Sequence, residues 1–158
     1  MDKGDIAPDF KLVDQDGNPR SLGEFLELGP VALFFYPAAM TTGCTAQSCH
    51  FRDLAAEFAE VGGQRVGISS DGVDRQREFS DAHSFGFPLL SDPDGAVAAA
   101  YGVRRKLGLP DRFGAVQTRR RTIVIDTDRT VLAVVKSELR MEVHADQALA
   151  ALRARAGK

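Results

Sequence analysis

Val31-Ala32-Leu33-Phe34-Phe35-Tyr36 runs for six residues without a polar break. A run of that kind predicts a strand buried on both faces, and hence a central one. Pro37 ends it. Beyond it, Phe51, Leu54, Ala55, Phe58 and Val61 recur at helical spacing and mark the core face of a helix. That helix is expected to open at Thr42 or Gly43 and to run to about Val61, where Gly62-Gly63 stops it. The chain is thus committed early to a buried strand feeding a helix.

The rest of the sequence repeats that alternation. Phe10–Val13 is a short strand-like run followed by a turn cluster at Asp16-Gly17-Asn18-Pro19. Ser21 is placed to cap a short helix through Leu28, with Glu24 at the third position as in a capping box. Arg65–Ser69 and Pro88–Leu90 read as strands, and Asp74–Ser84 and Asp92–Tyr101 as helices. Thr122–Ile125 and Val131–Val135 read as a hairpin around Asp126-Thr127-Asp128, and a helix from about Val143 to Arg155 closes the chain. Gly102–Thr118 has no period and reads as a loop. The expectation is an α/β fold, a central mixed sheet flanked by helices. With 158 residues, one domain over 1–158 suffices.

The net charge of −2 argues against a nucleic-acid partner, which would need a basic face. Arg119-Arg120-Arg121 and Arg104-Arg105-Lys106 are too local to change that. No segment is apolar for the roughly 20 residues of a membrane helix. Met1–Asp5 is polar and lacks a secretory h-region. A reducing cytoplasm is the expected compartment, and a static disulfide is not expected there. The chain's two cysteines then serve as inert core residues, metal ligands or redox groups.

Cys44 falls in the first turn of the helix, seven residues before Phe51 and therefore above the apolar face. Unpaired N–H groups and the positive dipole end favour an anion there. A thiolate is such an anion, and it is the nucleophilic form of cysteine. The bland alternative is a small buried hydrophobe. Cys49 lines up with Arg52, Asp53 and Ala56, nearer the solvent face. Two thiols five residues apart on an ideal helix have Cα atoms about 8.7 Å apart, whereas a disulfide needs roughly 4.4–6.8 Å. If the two bridge, the helix start must unwind.

These residues carry a family resemblance. Pro37, Thr41 and Cys44 stand at the spacing P-x-x-x-T-x-x-C, and the chain resembles the peroxiredoxins. Cys49 resembles the resolving cysteine of the Q-type group, the bacterioferritin comigratory proteins. Gly4-Asp5-Ile6-Ala7-Pro8-Asp9-Phe10, Phe51-Arg52-Asp53, Val66-Gly67-Ile68-Ser69 and Pro88-Leu89-Leu90-Ser91-Asp92 extend the likeness over nearly the whole chain. The resemblance implies a thioredoxin-like fold and a cofactor-free thiol peroxidase for hydrogen peroxide and organic hydroperoxides, serving antioxidant defence. It implies Cys44 as the peroxidatic cysteine, Pro37 and Thr41 as its pocket, Cys49 as the resolving cysteine and thioredoxin as the reductant. An arginine leading a late strand that ends in Asp matches Arg120 best, with Arg119 and Arg121 as alternatives. A monomer is expected, with a weak dimer as the alternative.

One position departs from the family: Thr42 stands where it usually has proline. Thr42 keeps its N–H and can act as a cap, so the helix start is expected to differ locally. Two other functions compete. A thiol–disulfide oxidoreductase of the same fold would be expected to carry C-x-x-C, which is absent. A metal-binding module would use Cys44, Cys49 and His50, but zinc sites prefer cysteines two to four residues apart with a second ligand pair. His83 and His144, in helices with polar neighbours, read as surface histidines. Leu109 and Phe113, in the unpatterned loop, are candidates for the pocket mouth or a partner contact.

Overall fold

The computed structural model describes residues 1–104 and 118–157. Seven strands form one mixed sheet: β1 (Lys11–Val13), β2 (Pro19–Ser21), β3 (Val31–Phe35), β4 (Gln64–Ser69), β5 (Leu89–Ser91), β6 (Arg121–Ile125) and β7 (Val131–Val135), in the order β2-β1-β5-β4-β3-β6-β7. The middle strands β3, β4 and β5 are parallel. β6 runs antiparallel to β3, with Phe35 opposite Arg121, and β7 returns antiparallel beside it. The helices are α1 (Leu22–Leu26), α2 (Thr42–Asp53), α3 (Ala55–Glu60), α4 (Val73–His83), α5 (Ala96–Ala100) and α6 (Glu142–Ala156).

The apolar run explains the centre of this arrangement. Val31 to Tyr36 are all fully buried, and alternate side chains serve two cores. Val31, Leu33 and Phe35 pack with Phe25 of α1, Ile123 and Tyr101. Ala32, Phe34 and Tyr36 pack with Phe51 of α2, Phe58 of α3, Phe79 of α4 and Leu149 of α6. Phe34 stacks on Phe51 at 4.2 Å and meets Phe87 edge-on at 5.6 Å. Truncating such a ring to alanine costs about 3–5 kcal/mol.

Helix boundaries differ from the sequence reading in three places. The helix expected from Thr42 to Val61 breaks at Leu54, whose backbone (φ −94°, ψ 19°) leaves helical geometry and separates α2 from α3. The break shifts the buried face, so Phe51 and Phe58 are buried while Ala55 is exposed. The Asp92–Tyr101 helix shortens to α5, because the Asp92 carboxylate caps from outside, accepting the N–H groups of Val97 and Ala98 at 3.2 and 2.9 Å. Ser21 does cap α1, its hydroxyl accepting the Glu24 N–H at 3.1 Å, but the helix ends at Leu26. Leu109, Phe113, Arg105 and Lys106 lie outside the described residues.

Candidate active site

The site lies where β3 ends and α2 begins. Tyr36 still bonds the Ile68 carbonyl through its N–H at 3.0 Å, extending the β3–β4 pairing by one residue. The loop 37–41 then turns the chain into α2, with Met40 in the left-handed region (φ 68°). Thr41 is the N-cap residue, extended at φ −82° and ψ 156°, but among the described residues no side chain caps the helix. The Thr41 hydroxyl instead donates to the Ala38 carbonyl at 2.9 Å. With its proton engaged there, that oxygen offers only lone pairs to an incoming group. The N–H groups of the first turn have no partner within the helix.

Cys44 is buried in this first turn, 1% exposed. Its thiol faces the guanidinium of Arg120, whose Nη2 donates to Sγ at 3.3 Å. Topology brings the two together. β6 starts opposite the end of β3, so the residue preceding Arg121 emerges beside the start of α2. The other nitrogen, Nη1, donates to the Gln47 side-chain oxygen, one turn after Cys44 on the same helix. Gly43 makes room for the arginine: a Cβ there would sit 3.3 Å from Arg120 Nη2 and 3.5 Å from Met141 Sδ.

The electrostatics are one-sided. Arg120 is buried and pairs with no carboxylate among the described residues. A buried cation without an anion is costly, and the sulfur 3.3 Å away is the group that can supply the negative charge. Arg120 Nε and Gln47 Nε2 are buried donors with no hydrogen-bond partner among the described residues. Arg121 turns away, donating to the carbonyls of Arg120 and Lys136 at 3.4 and 3.3 Å. Such a site can hold a thiol against a polar electrophile and donate hydrogen bonds to atoms as charge develops on them.

Residues 3–134 match the model of the AhpC/TSA family. A putative peroxiredoxin of Mycobacterium tuberculosis is 57% identical over 154 residues, covering 98% of this chain and 97% of its own. The chain belongs to the peroxiredoxin family. The crystal structure of the M. tuberculosis peroxidoxin BcpB superposes with a TM-score of 0.91 at 56% identity, covering 98% of this chain and 97% of that one. A Xanthomonas campestris bacterioferritin comigratory protein, studied for alkyl peroxide reduction, follows at 0.83 and 28%, covering 93% and 92%. The fold is thioredoxin-like and the subfamily is the Q type, as the sequence resemblance implied. The protein is therefore a thiol-dependent peroxidase, and its family implies a peroxide substrate and a thioredoxin-like reductant.

In this peroxiredoxin the second cysteine, Cys49, is half-buried against the Phe51–Phe58 core, and both thiols are free. Both lie in the intact α2, whose C-terminal half is well anchored. Arg52 Nη1 donates to the His83 carbonyl at 2.7 Å and Arg65 Nη1 to the Phe51 carbonyl at 3.0 Å. His50 Nε2 meets Asp146 of α6 at 2.7 Å, a use of His50 that the metal-module alternative did not foresee. Among the described residues no group of three His, Cys, Asp or Glu side chains is placed to hold a metal. Pro37 is half-buried at the loop start and Thr41 is exposed at its end.

Sequence reasoning missed three features of the site. Gln47 carried a weak signal, being one turn from Cys44 on the same face. Asp71, which accepts the Ala39 N–H at 2.7 Å, is distant in sequence and gave none. His144 was misread as a surface residue and is fully buried. Its Nδ1 meets the Thr122 hydroxyl at 2.8 Å and its Nε2 the Ser137 carbonyl at 2.6 Å. The Ser137 carbonyl requires a proton on Nε2, so Nδ1 of the neutral ring accepts from Thr122. Burial, with a smaller contribution from the Arg120 charge, holds His144 below the ordinary histidine range.

Proposed function

We propose that Cys44 is the peroxidatic cysteine and Cys49 the resolving cysteine of this peroxiredoxin, with Arg120, Thr41 and Pro37 forming the pocket around the reacting sulfur. The contact that carries this reading is Arg120 Nη2 to Cys44 Sγ at 3.3 Å, in a buried site where, among the described residues, the arginine has no carboxylate partner. The Cys44 thiolate attacks the terminal oxygen of hydrogen peroxide or an organic hydroperoxide. The O–O bond breaks, sulfur is oxidised to sulfenic acid, and the leaving oxygen departs as water or an alcohol after taking a proton. Arg120 stabilises the thiolate and then the charge developing along the O–O bond. Thr41 Oγ1 accepts the proton-bearing end of the peroxide, and Pro37 shields the strand end from solvent.

Resolution follows by attack of Cys49 on the sulfenic sulfur, releasing water and leaving a Cys44–Cys49 disulfide. Both cysteines sit in an intact α2, about 8.7 Å apart at Cα by helix geometry, so the first turns unwind before the bond forms. Thioredoxin reduces the disulfide by thiol exchange. We place the enzyme in the cytoplasm as a single-domain monomer, with a weak dimer as the alternative. Among the described residues no helix is long and apolar enough to cross a membrane.

Mass spectrometry after one equivalent of hydrogen peroxide tests the assignment. The expected product is a Cys44–Cys49 bond in wild type and a trapped sulfenic acid on Cys44 in Cys49→Ser. Two free thiols in wild type would overturn it.

A further inference from the structure

A chain of hydrogen bonds beneath the pocket has no part in the chemistry above. Tyr36, the residue before Pro37, donates through its hydroxyl to the Gln76 side-chain oxygen of α4. Gln76 Nε2 donates to Ser69 Oγ at 3.0 Å and to the Leu90 carbonyl at 2.8 Å. The Ser69 hydroxyl donates to Asp71 Oδ2 at 2.6 Å, and the same oxygen accepts the Ala39 N–H at 2.7 Å. Tyr36, Ser69 and Gln76 are buried, and Asp71 is half-buried at the edge.

We propose that Asp71 is a positioning residue for peroxide attack: its Oδ2 pins the 37–41 loop at Ala39 to the ends of β4 and β5, and so fixes Thr41 and the first turn of α2 against Arg120. The proposal rests on Cys44 being the attacking thiol. Apart from the packing of Ala39 into the core, few contacts hold the loop. The Thr41 hydroxyl bonds back to Ala38 within the loop, among the described residues no side chain caps α2, and Met40 sits at a positive φ that a non-glycine residue adopts only under constraint. Asp71 Oδ2 is the side-chain acceptor through which the Ala39 N–H ties the loop to the sheet. Its place is fixed in turn by Ser69, which Gln76 holds against two strands. Reacting groups lose about a hundredfold in rate for a misplacement near 1 Å, so this one contact reaches the chemistry without touching it.

The same contact opposes unwinding. The loop must leave its place when the helix start opens, so loosening it slows attack and speeds resolution. A global loss of stability has no reason to split the two rates in opposite directions.

The experiment measures both steps by quenched flow with hydrogen peroxide, trapping sulfenic acid and quantifying disulfide by mass spectrometry. Thermal midpoints are recorded alongside. Asp71→Ala is expected to lower the second-order rate of Cys44 oxidation about tenfold and to raise the first-order rate of disulfide formation several-fold. Asp71→Asn keeps a carbonyl oxygen for the Ala39 N–H, and is expected to restore the oxidation rate to within about threefold of wild type. Both rates unchanged in Asp71→Ala, or both lowered together, would overturn the proposal. If Asp71→Ala fails to fold, Ser69→Ala carries the test. It is expected to give the same split at reduced size, and an unchanged oxidation rate there is equally fatal. Cys44→Ser separates the underlying reading: peroxide consumption surviving in that variant defeats the assignment of Cys44 itself, whereas its loss there with unchanged rates in Asp71→Ala defeats the role of Asp71 alone.

Discussion

Arg120 and Gln47 form a pair in which a buried guanidinium is held by an amide one helical turn beyond the thiol it serves. The amide fixes one nitrogen, and the second is left to face Cys44 Sγ at 3.3 Å. That division of the guanidinium fork is the basis of the first expectation. Arg120→Lys keeps the charge but cannot hold both contacts in one plane. Its second-order rate constant for peroxide should fall by about a hundredfold, with little recovery relative to Arg120→Ala. Competition kinetics against a peroxidase of known rate measures both.

Gly43 is a spacing requirement more than a conformational one. A methyl group there would lie 3.3 Å from Arg120 Nη2, tighter than ordinary packing. Gly43→Ala should slow peroxide reduction about three- to tenfold by displacing the guanidinium a few tenths of an ångström. Alanine suits a helix better than glycine, so the thermal midpoint should hold steady or rise. Activity lost in a protein of undiminished stability is the signature to look for.

His144 gives a pH dependence of stability whose sign follows from burial. The folded protein keeps the ring neutral below the ordinary value of 6.5, while the unfolded chain protonates it near that value. The unfolded state therefore binds more protons as the pH falls through that region. The contribution of His144 is complete above about pH 6.5 and is lost as the pH drops toward its depressed folded value. Thermal midpoints should decline as the pH falls below about 6.5, and His144→Gln should lie lower at neutral pH with a shallower slope. A parallel slope in the variant contradicts the assignment.

Thr42 occupies the first position of α2, where an N–H has no helical partner and proline is tolerated. Thr41 before it is extended, as a residue preceding proline must be. Thr42→Pro should stabilise the folded enzyme by about 0.4–1 kcal/mol through the unfolded chain. It should also slow disulfide formation severalfold while leaving the thiol oxidation rate nearly unchanged. Chemical denaturation and single-turnover mass spectrometry report the two effects.

Much of this molecule was legible in its sequence, for physical reasons that also mark where legibility stopped. The run Val31–Tyr36 could only be a doubly buried strand, and the hairpin at 121–135 announced itself by its turn. Cys44 followed from helix phase, because the position of a first turn is a local property. The break at Leu54 was not visible, since neither glycine nor proline marks it. His144 was misread because its polar partners, Thr122 and Ser137, are brought to it by the sheet and a loop rather than by neighbours on its helix. Arg120 was singled out among three adjacent arginines only through resemblance, because which one turns inward depends on the pairing of β6 with β3. Asp71 and Gln76 act across strands and had no signature in any one segment.

The helix carrying both cysteines is fastened unevenly. Its far half is tied down by Arg52, Arg65 and His50, while its near end carries no side-chain cap. In the proposed cycle the near turn, with the loop that leads into it, sets how long the sulfenic acid waits before Cys49 reaches it. During that wait a second peroxide can carry the sulfur on to sulfinic acid, which thiols do not reverse. Tolerance of a peroxide burst is therefore an adjustable property of one turn of backbone. It can drift with substitutions at Thr42 while the attacking chemistry at Cys44 and Arg120 stays as it is.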